Sequence, residues 1–286
     1  MKNQSLRKLD IAVISDVHLG TYGCHAKELL RYMKSIRPKT VILNGDFVDI
    51  WQFSKRYWPK SHMKVVKHII KWVTKGVKVY YVTGNHDEML RRFVGFKLGS
   101  FTIVNKLLLD LANNEKAWIF HGDVFDVTMK HSKWLAKLGA TGYDKLIVLN
   151  SCINFISEHV FKKGKISLSK KIKNSVRTAL SYIDDFEQTA AEIGIYNKYT
   201  YVACGHIHQP KIRKIETGTG SIVYLNSGDW VENLTALEFN GGKWELYQYK
   251  HENFPEAEPV VDDEDDLSTS ALFDNMVKEF EMLKAI

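Results

Sequence analysis

With 286 residues, 45% of them apolar and 26% charged, the chain is long enough for one large domain with a full core and has an ordinary globular composition. No apolar run approaches the roughly 18 residues of a transmembrane helix, the start "MKNQSLRKLD" lacks an apolar signal region, and Cys24, Cys152 and Cys204 form no CxxC. These features argue against a membrane span, standard export, a disulfide framework or a zinc ribbon, and they fit a reduced cytoplasmic setting. The formal charge of +7 is uneven: residues 130–177 hold eleven Lys or Arg against Asp144 and Glu158 alone, whereas residues 252–266 hold eight acidic groups and no Lys or Arg. The basic block suits an anionic partner (phosphate, nucleic acid or an acidic membrane surface) or else a solvated helix face.

In chain order, "IAVIS" (11–15) reads as a buried strand and "AKELLRYMKSI" (26–36) as an amphipathic helix. "TVILN" (40–44) is a second strand, and "HMKVVKHIIKWVTKG" (62–76) is a helix stopped by Gly76. "VKVYYVT" (77–83) and "AWIFHG" (117–122) are further strands. Strand alternating with helix predicts a layered α/β core. Residues 127–193 turn helical, as in "HSKWLAKLG", "YDKLIVLNSCINFISEHVF" and "LSKKIKNSVRTALSYIDDFEQTAAEI", and read as an inserted cap. Strands return with "YTYVACG" (199–205), "SIVYLN" (221–226), "TALEFN" (235–240) and "KWELYQY" (243–249), punctuated as hairpins and read as an antiparallel end. An acidic linker and a terminal helix, "ALFDNMVKEFEML" (271–283), would follow. The expected division is therefore one domain over 1–250, with its helical insertion at 127–193, and a tail over 251–286.

Chemistry gathers where apolar runs stop. "SDVHLG" offers Asp16 and His18, "NGDFVD" offers Asp46, "GNHD" offers Asn85, His86 and Asp87, "FHGD" offers His121, and "CGHIHQP" offers His206 and His208. Residues two apart on an extended segment share a face, so Asp16 and His18 should project together, as should His206 and His208. Strand ends in layered α/β folds converge on one edge. Seven candidate ligands result: Asp16, His18, Asp46, Asn85, His121, His206 and His208. Imidazole, carboxylate and amide oxygen without thiolate suit Mn²⁺, Fe or Zn²⁺ and not a Ca²⁺ or Mg²⁺ cage. If one carboxylate bridges, seven ligands serve two ions, a pairing that clamps an in-line displacement at phosphorus. Each cluster alone is weak: a lone DxH or HxH is more often structural, and GNHD alone would be a turn. All five in order, each after a β-rich run, are not a chance pattern.

That ordered set resembles the calcineurin-like metallophosphoesterases. The motifs cover residues 15–210, and the strand pattern extends the likeness to about 250. The resemblance implies a four-layer αββα sandwich of two mixed β-sheets flanked by helices. It implies Asp16, His18, Asp46 and His208 at one metal and Asp46, Asn85, His121 and His206 at the other, with Asp46 bridging. His86 would act at the leaving group, and Asp87 would orient His86. The helical insertion and the "GDFVDIW" form of the second motif are similar to the UDP-2,3-diacylglucosamine pyrophosphatases of lipid A synthesis. That branch covers its metals with a helical lid and cleaves its substrate to UMP and a lipid monosaccharide phosphate. By resemblance, Asn174 and Arg177 would contact substrate, and the helix around 146–161 would line an acyl groove or simply pack as core. The implied partners are a UDP-linked acylated sugar and an anionic membrane surface, with the protein peripheral on the inner face of the cytoplasmic membrane. The chain departs from the branch at His86, where the branch has Arg, and this puts the substrate in question. The alternative is a metal-dependent nuclease or nucleotide phosphodiesterase whose basic segment tracks nucleic acid. Trp134, Tyr143, Phe155 and Phe161 have core-like helical spacing, which weighs against base stacking. A degenerate, non-catalytic scaffold should have lost ligands, and all seven are present.

Overall fold

The computed structural model describes residues 6–51, 57–125 and 169–254, with the side chains of 113 and 169–180 excepted. The first half alternates as its apolar pattern predicts: β1 (Arg7–Ile14), α1 (Ala26–Ser35), β2 (Ile36–Asn44), α2 (Lys60–Thr74) and β3 (Lys78–Val82). Next come β4 (Lys97–Leu98), β5 (Phe101–Val104), β6 (Lys106–Asp110) and β7 (Lys116–Phe120). After the undescribed part of the insertion follow α3 (Ser169–Tyr196), β8 (Tyr201–Cys204), β9 (Lys211–Thr217), β10 (Gly220–Asn226), β11 (Thr235–Asn240) and β12 (Lys243–Gln248).

Two mixed sheets form. One runs β12-β11-β1-β2-β3-β5-β4, and the other β6-β7-β8-β10-β9. Strands β1, β2 and β3 are mutually parallel, and so are β7, β8 and β10. Alternation along each strand sorts side chains into three apolar layers. Ile11, Val13, Ile42 and Val82 of the first sheet meet Ala117, Ile119, Ala203 and Leu225 of the second, and this is the seam between the sheets. Ala12, Ile14, Val41 and Leu43 face the other way, onto Leu29 and Met33 of α1 and Val65 and Ile69 of α2. Val202, Cys204, Ile222 and Tyr224 face outward onto Phe186, Ala190 and Ala191 of α3. Helix, sheet, sheet, helix is the expected four-layer order.

The returning strands do not make one antiparallel end. The β9–β10 and β11–β12 hairpins are antiparallel, but β10 runs parallel to β8 in the second sheet while β11 pairs antiparallel with β1 in the first. The chain crosses between sheets after β10, and no local sequence signal marks that crossing. Strands β4, β5, β6 and β9 had no reading in the sequence. Three of them are short or half-exposed, with β6 burying only alternate residues and those partly. The helix expected over "LSKKIKNSVRTALSYIDDFEQTAAEI" corresponds to α3, whose second half forms the outer layer of the second sheet. The terminal helix at 271–283, the 146–161 helix and most of the acidic linker lie outside the described residues.

Glu187 fastens α3 to that sheet. Its carboxylate is buried and meets Lys211 Nζ at 2.6 Å and Arg213 Nη1 at 3.3 Å, both from β9. Glu187→Ala should lower unfolding stability by about 1–3 kcal/mol, because both cations keep access to water and only the pairing is lost. Urea titration checks this; an unchanged midpoint would mean the pair contributes nothing net.

Candidate metal centre

Both sheets present the carboxyl ends of their parallel strands at one edge. Asp16 and His18 follow β1, Asp46 follows β2, Asn85 and His86 follow β3, His121 follows β7, and His206 and His208 follow β8. Backbone bonds zip the first two loops together beyond their strands: Asp16 N–H donates to Gly45 O (3.1 Å), and His18 N–H donates to Asp46 O (2.9 Å). Asn44 joins the sheets, donating from Nδ2 to Phe120 O at 3.1 Å and accepting at its backbone oxygen from His121 Nδ1 at 2.9 Å.

The motifs converge by a different geometry from simple strand alternation. Asp16 (φ 53°), His18 (53°), Asp46 (51°), His206 (66°) and His208 (51°) are all in the left-handed region. That region is uncommon for residues with a Cβ and costs of order 1 kcal/mol or more each. Five such residues at one edge mark a place where side-chain direction overrides backbone preference. Gly84 is required for close approach: a Cβ there would stand 2.2 Å from Asp46 Oδ1.

Three groups of ligand-type atoms result, each with all atoms within 4.8 Å of one another: Asp16, His18 and His208; His18, Asp46 and His86; and Asp46, His121 and His206. His208 Nε2 lies 3.1 Å from Asp16 Oδ1. His121 Nε2 lies 3.2 Å from Asp46 Oδ2 and 3.3 Å from Asn85 Oδ1. Since His121 Nδ1 gives its proton to Asn44, the Nε2 edge faces two oxygens. One N–H cannot align well with both, whereas a cation can, so the donor set fits a divalent metal. Burial opposes charging His121, yet Asp46 holds its pKa well above the ordinary value; burial likewise opposes charging His208, and Asp16 raises it to about 9. Burial works against ionising Asp46, but His121, then His18 and His86, hold its carboxyl far below the usual range.

One expected role moves to another residue. Asp87 does not reach His86: its Oδ1 accepts from Gly84 N–H (2.6 Å), and its Oδ2 accepts from Tyr81 O–H (2.6 Å) and Phe47 N–H (3.1 Å). Asp87 braces the loop, although burial and the Asp46 charge push its pKa up to about 7. The carboxylate on His86 is Asp49, fully buried, with Oδ2 at 2.9 Å from His86 Nδ1 and 3.5 Å from His18 Nδ1. Burial opposes protonation of His86, but Asp49 and Asp46 raise its pKa. Asp49 is the last letter of "NGDFVD", so the motif contained it; only packing shows that it lies against both histidines. Asp229 lies farther from His208, 4.0 Å from Nδ1 and beyond hydrogen-bond reach, and caps the backbone of Val231 and Glu232. Asn174 and Arg177 lie on α3.

His62, read only as part of a helix, supports the first loop by accepting from Gly20 N–H at Nδ1 (3.0 Å). Burial lowers its pKa from 6.5 to about 4. The fold thus holds neutral imidazole: this stabilisation is complete above pH 6.5 and is lost as pH falls toward 4. We expect a loss on the order of 1–2 kcal/mol between pH 7.5 and 4.5, discounted for partial solvation. His62→Asn keeps an acceptor near the Nδ1 position and should flatten that part of the stability–pH curve. An equally steep curve in the variant would assign the effect to other groups.

A family model for calcineurin-like phosphoesterases matches residues 9–210. Among curated relatives, a "UDP-2,3-diacylglucosamine hydrolase" of Blochmanniella pennsylvanica is 23% identical over 245 residues, covering 81% of this chain and 92% of its own. The Aliivibrio fischeri protein of the same name is 24% identical over 246 residues, covering 84% of this chain and 98% of its own. Among solved structures, a dimetal phosphatase from Danio rerio is 11% identical, covering 84% of this chain and 98% of its own, with a TM-score of 0.38.

Proposed function

The chain belongs to the calcineurin-like phosphoesterase family, and from that premise we propose that it hydrolyses the diphosphate of UDP-2,3-diacylglucosamine, releasing UMP and 2,3-diacylglucosamine 1-phosphate. The observation that carries the chemistry is the convergence of three ligand groups on one edge, linked through His18 and Asp46. The substrate rests on the relatives' names and on the long matches to them.

In this reading Asp16, His18, Asp46 and His208 hold one divalent ion, and Asp46, Asn85, His121 and His206 hold the other. Mn²⁺ is the proposed metal, with Fe or Zn²⁺ as alternatives. Bound there, two such ions neutralise phosphoryl oxygens and make water acidic enough to ionise near neutral pH. The chain's own residues do the rest. Asp16 and Asp46 supply buried negative charge that neutral ligands alone would not. Asn44 sets the orientation of His121, as second partners of metal-bound imidazoles generally do, and Asp229 adds negative charge near His208. His86, with Nδ1 committed to Asp49, presents Nε2 to the departing oxygen as a proton donor or a positive charge. Trp51, whose ring lies 5.1 Å from that of His86, flanks it.

We further propose that residues 127–193 include a lid over this edge, with Asn174 and Arg177 on substrate, and that 251–286 is a separate tail. The basic segment would favour an anionic membrane surface, placing the protein peripherally on the cytoplasmic face. No helix among the described residues is long and apolar enough to cross a membrane. The test is incubation of purified protein with Mn²⁺ and UDP-2,3-diacylglucosamine, followed by detection of UMP. Failure to form UMP, with turnover of cyclic nucleotides or DNA instead, would remove the lipid substrate and leave phosphodiester hydrolysis.

A further inference from the structure

A second concave site lies at the opposite end of the seven-stranded sheet. The metal-centre residues follow the ends of β1, β2 and β3; this cleft is formed where α1 and α2 end and where β2 and β3 begin. Since β2 has nine residues, rising roughly 3.3 Å each, the two sites are separated by on the order of 25–30 Å. The cleft encloses about 770 Å³, a volume suited to a small molecule.

Its floor is apolar, built from Met33, Ile36, Trp72 and Val77. Its rim is cationic, built from the exposed Lys34, Arg37, Lys71 and Lys75. None of these four has a carboxylate partner among the described residues; Lys39, the fifth cation there, is paired with Asp10 at 2.7 Å. Lys34 and Lys71 sit in the last turns of α1 and α2, where cations complement helix carbonyls. Lys75 is the C-cap of α2, so that preference accounts for three of the charges. It does not account for Arg37, nor for four cations around one apolar floor. His68 stands among them, half-buried, its ring 4.8 Å from Trp72. Burial is the main reason its pKa is held down at about 4, and Lys71, Lys34 and Lys75 push the same way, so these cations lie close enough to act on its ring.

We propose that this cleft binds a phosphate-bearing anion, either free or as the headgroup of a lipid, with the apolar floor receiving whatever the phosphate is attached to. Arg37 offers a planar fork and the lysines offer mobile point charges, the combination that phosphate oxygens match. The proposal does not depend on what the metal centre hydrolyses.

His68 reports on the site directly. Its imidazole signals would be followed by NMR across pH in the full chain, alone and with inorganic phosphate or dihexanoyl phosphatidic acid. A bound anion favours imidazolium, so a saturable rise of about one pH unit or more in the His68 midpoint is expected. A response to inorganic phosphate assigns a free anion, and a response to the lipid alone assigns a headgroup. K71Q/K75Q should weaken the response about tenfold and leave hydrolysis at the metal centre unchanged. No saturable His68 shift with either probe, or equal affinity in K71Q/K75Q, overturns the proposal.

Discussion

Asp46→Ala should lower kcat by about 10⁴-fold or more, equivalent to about 5 kcal/mol of barrier, and should deplete bound metal at the same time. Asp46 belongs to two of the three ligand groups, and its two oxygens point different ways. Oδ2 faces His121, and Oδ1 accepts from His86 N–H at 2.8 Å. Loss of the side chain therefore removes a shared anion and unties the GNHD loop in one step. Asp46→Asn separates these effects: it keeps an oxygen for the loop but halves the lone pairs and removes the charge. It should fold normally, lose metal and lose turnover. Metal content per chain, thermal midpoint and kcat together decide the matter. Full metal and full turnover in Asp46→Ala would dismantle the two-ion arrangement.

Asp49→Asn and Asp87→Asn should differ in kind. Asp49 is the residue against His86 Nδ1, and an amide there can no longer fix the ring as a donor partner with negative charge. We expect a fall of about 10²-fold in kcat, largest for substrates with poor leaving groups, since a p-nitrophenyl ester needs little help from an acid. Metal affinity should weaken as well, because Asp49 also lies 3.5 Å from His18 Nδ1, so rates are compared at saturating metal. Asp87 instead accepts from Gly84, Tyr81 and Phe47. Asp87→Asn should act mainly on stability, by about 1–3 kcal/mol, because one amide cannot satisfy three buried donors. Its effect on rate should be similar for good and poor leaving groups. The reverse pattern, with leaving-group sensitivity following Asp87, would return the orienting role to that residue.

The distinction between these two carboxylates shows where a linear reading stops. Asp87 adjoins His86 in sequence and Asp49 is 37 positions away, yet Asp49 is the one in hydrogen-bond contact. Adjacent residues in a tight loop point apart, and chain proximity carries no information about which side chain turns inward. The same limit applies to His62, whose place under Gly20 depends on how α2 packs across the first loop. It applies to β10, β11 and β12 as well: local pattern marks them as strands, but which sheet each joins depends on partners far along the chain.

What the sequence determined by itself was the ordered set of chemical groups and the α/β alternation that carries them. Short apolar, β-branched runs, each followed by Gly, Asp, Asn or His, are local signals, and local signals survive in one dimension. The tertiary structure decided the rest. It brought two parallel sets of strands together across one apolar seam, so that five loops share an edge. It also forced Asp16, His18, Asp46, His206 and His208 into left-handed backbone, which aims their side chains at common points in place of simple strand alternation. Such a conformation is unfavourable for each residue alone and persists only because the packing and the loop-to-loop hydrogen bonds around it over-determine it.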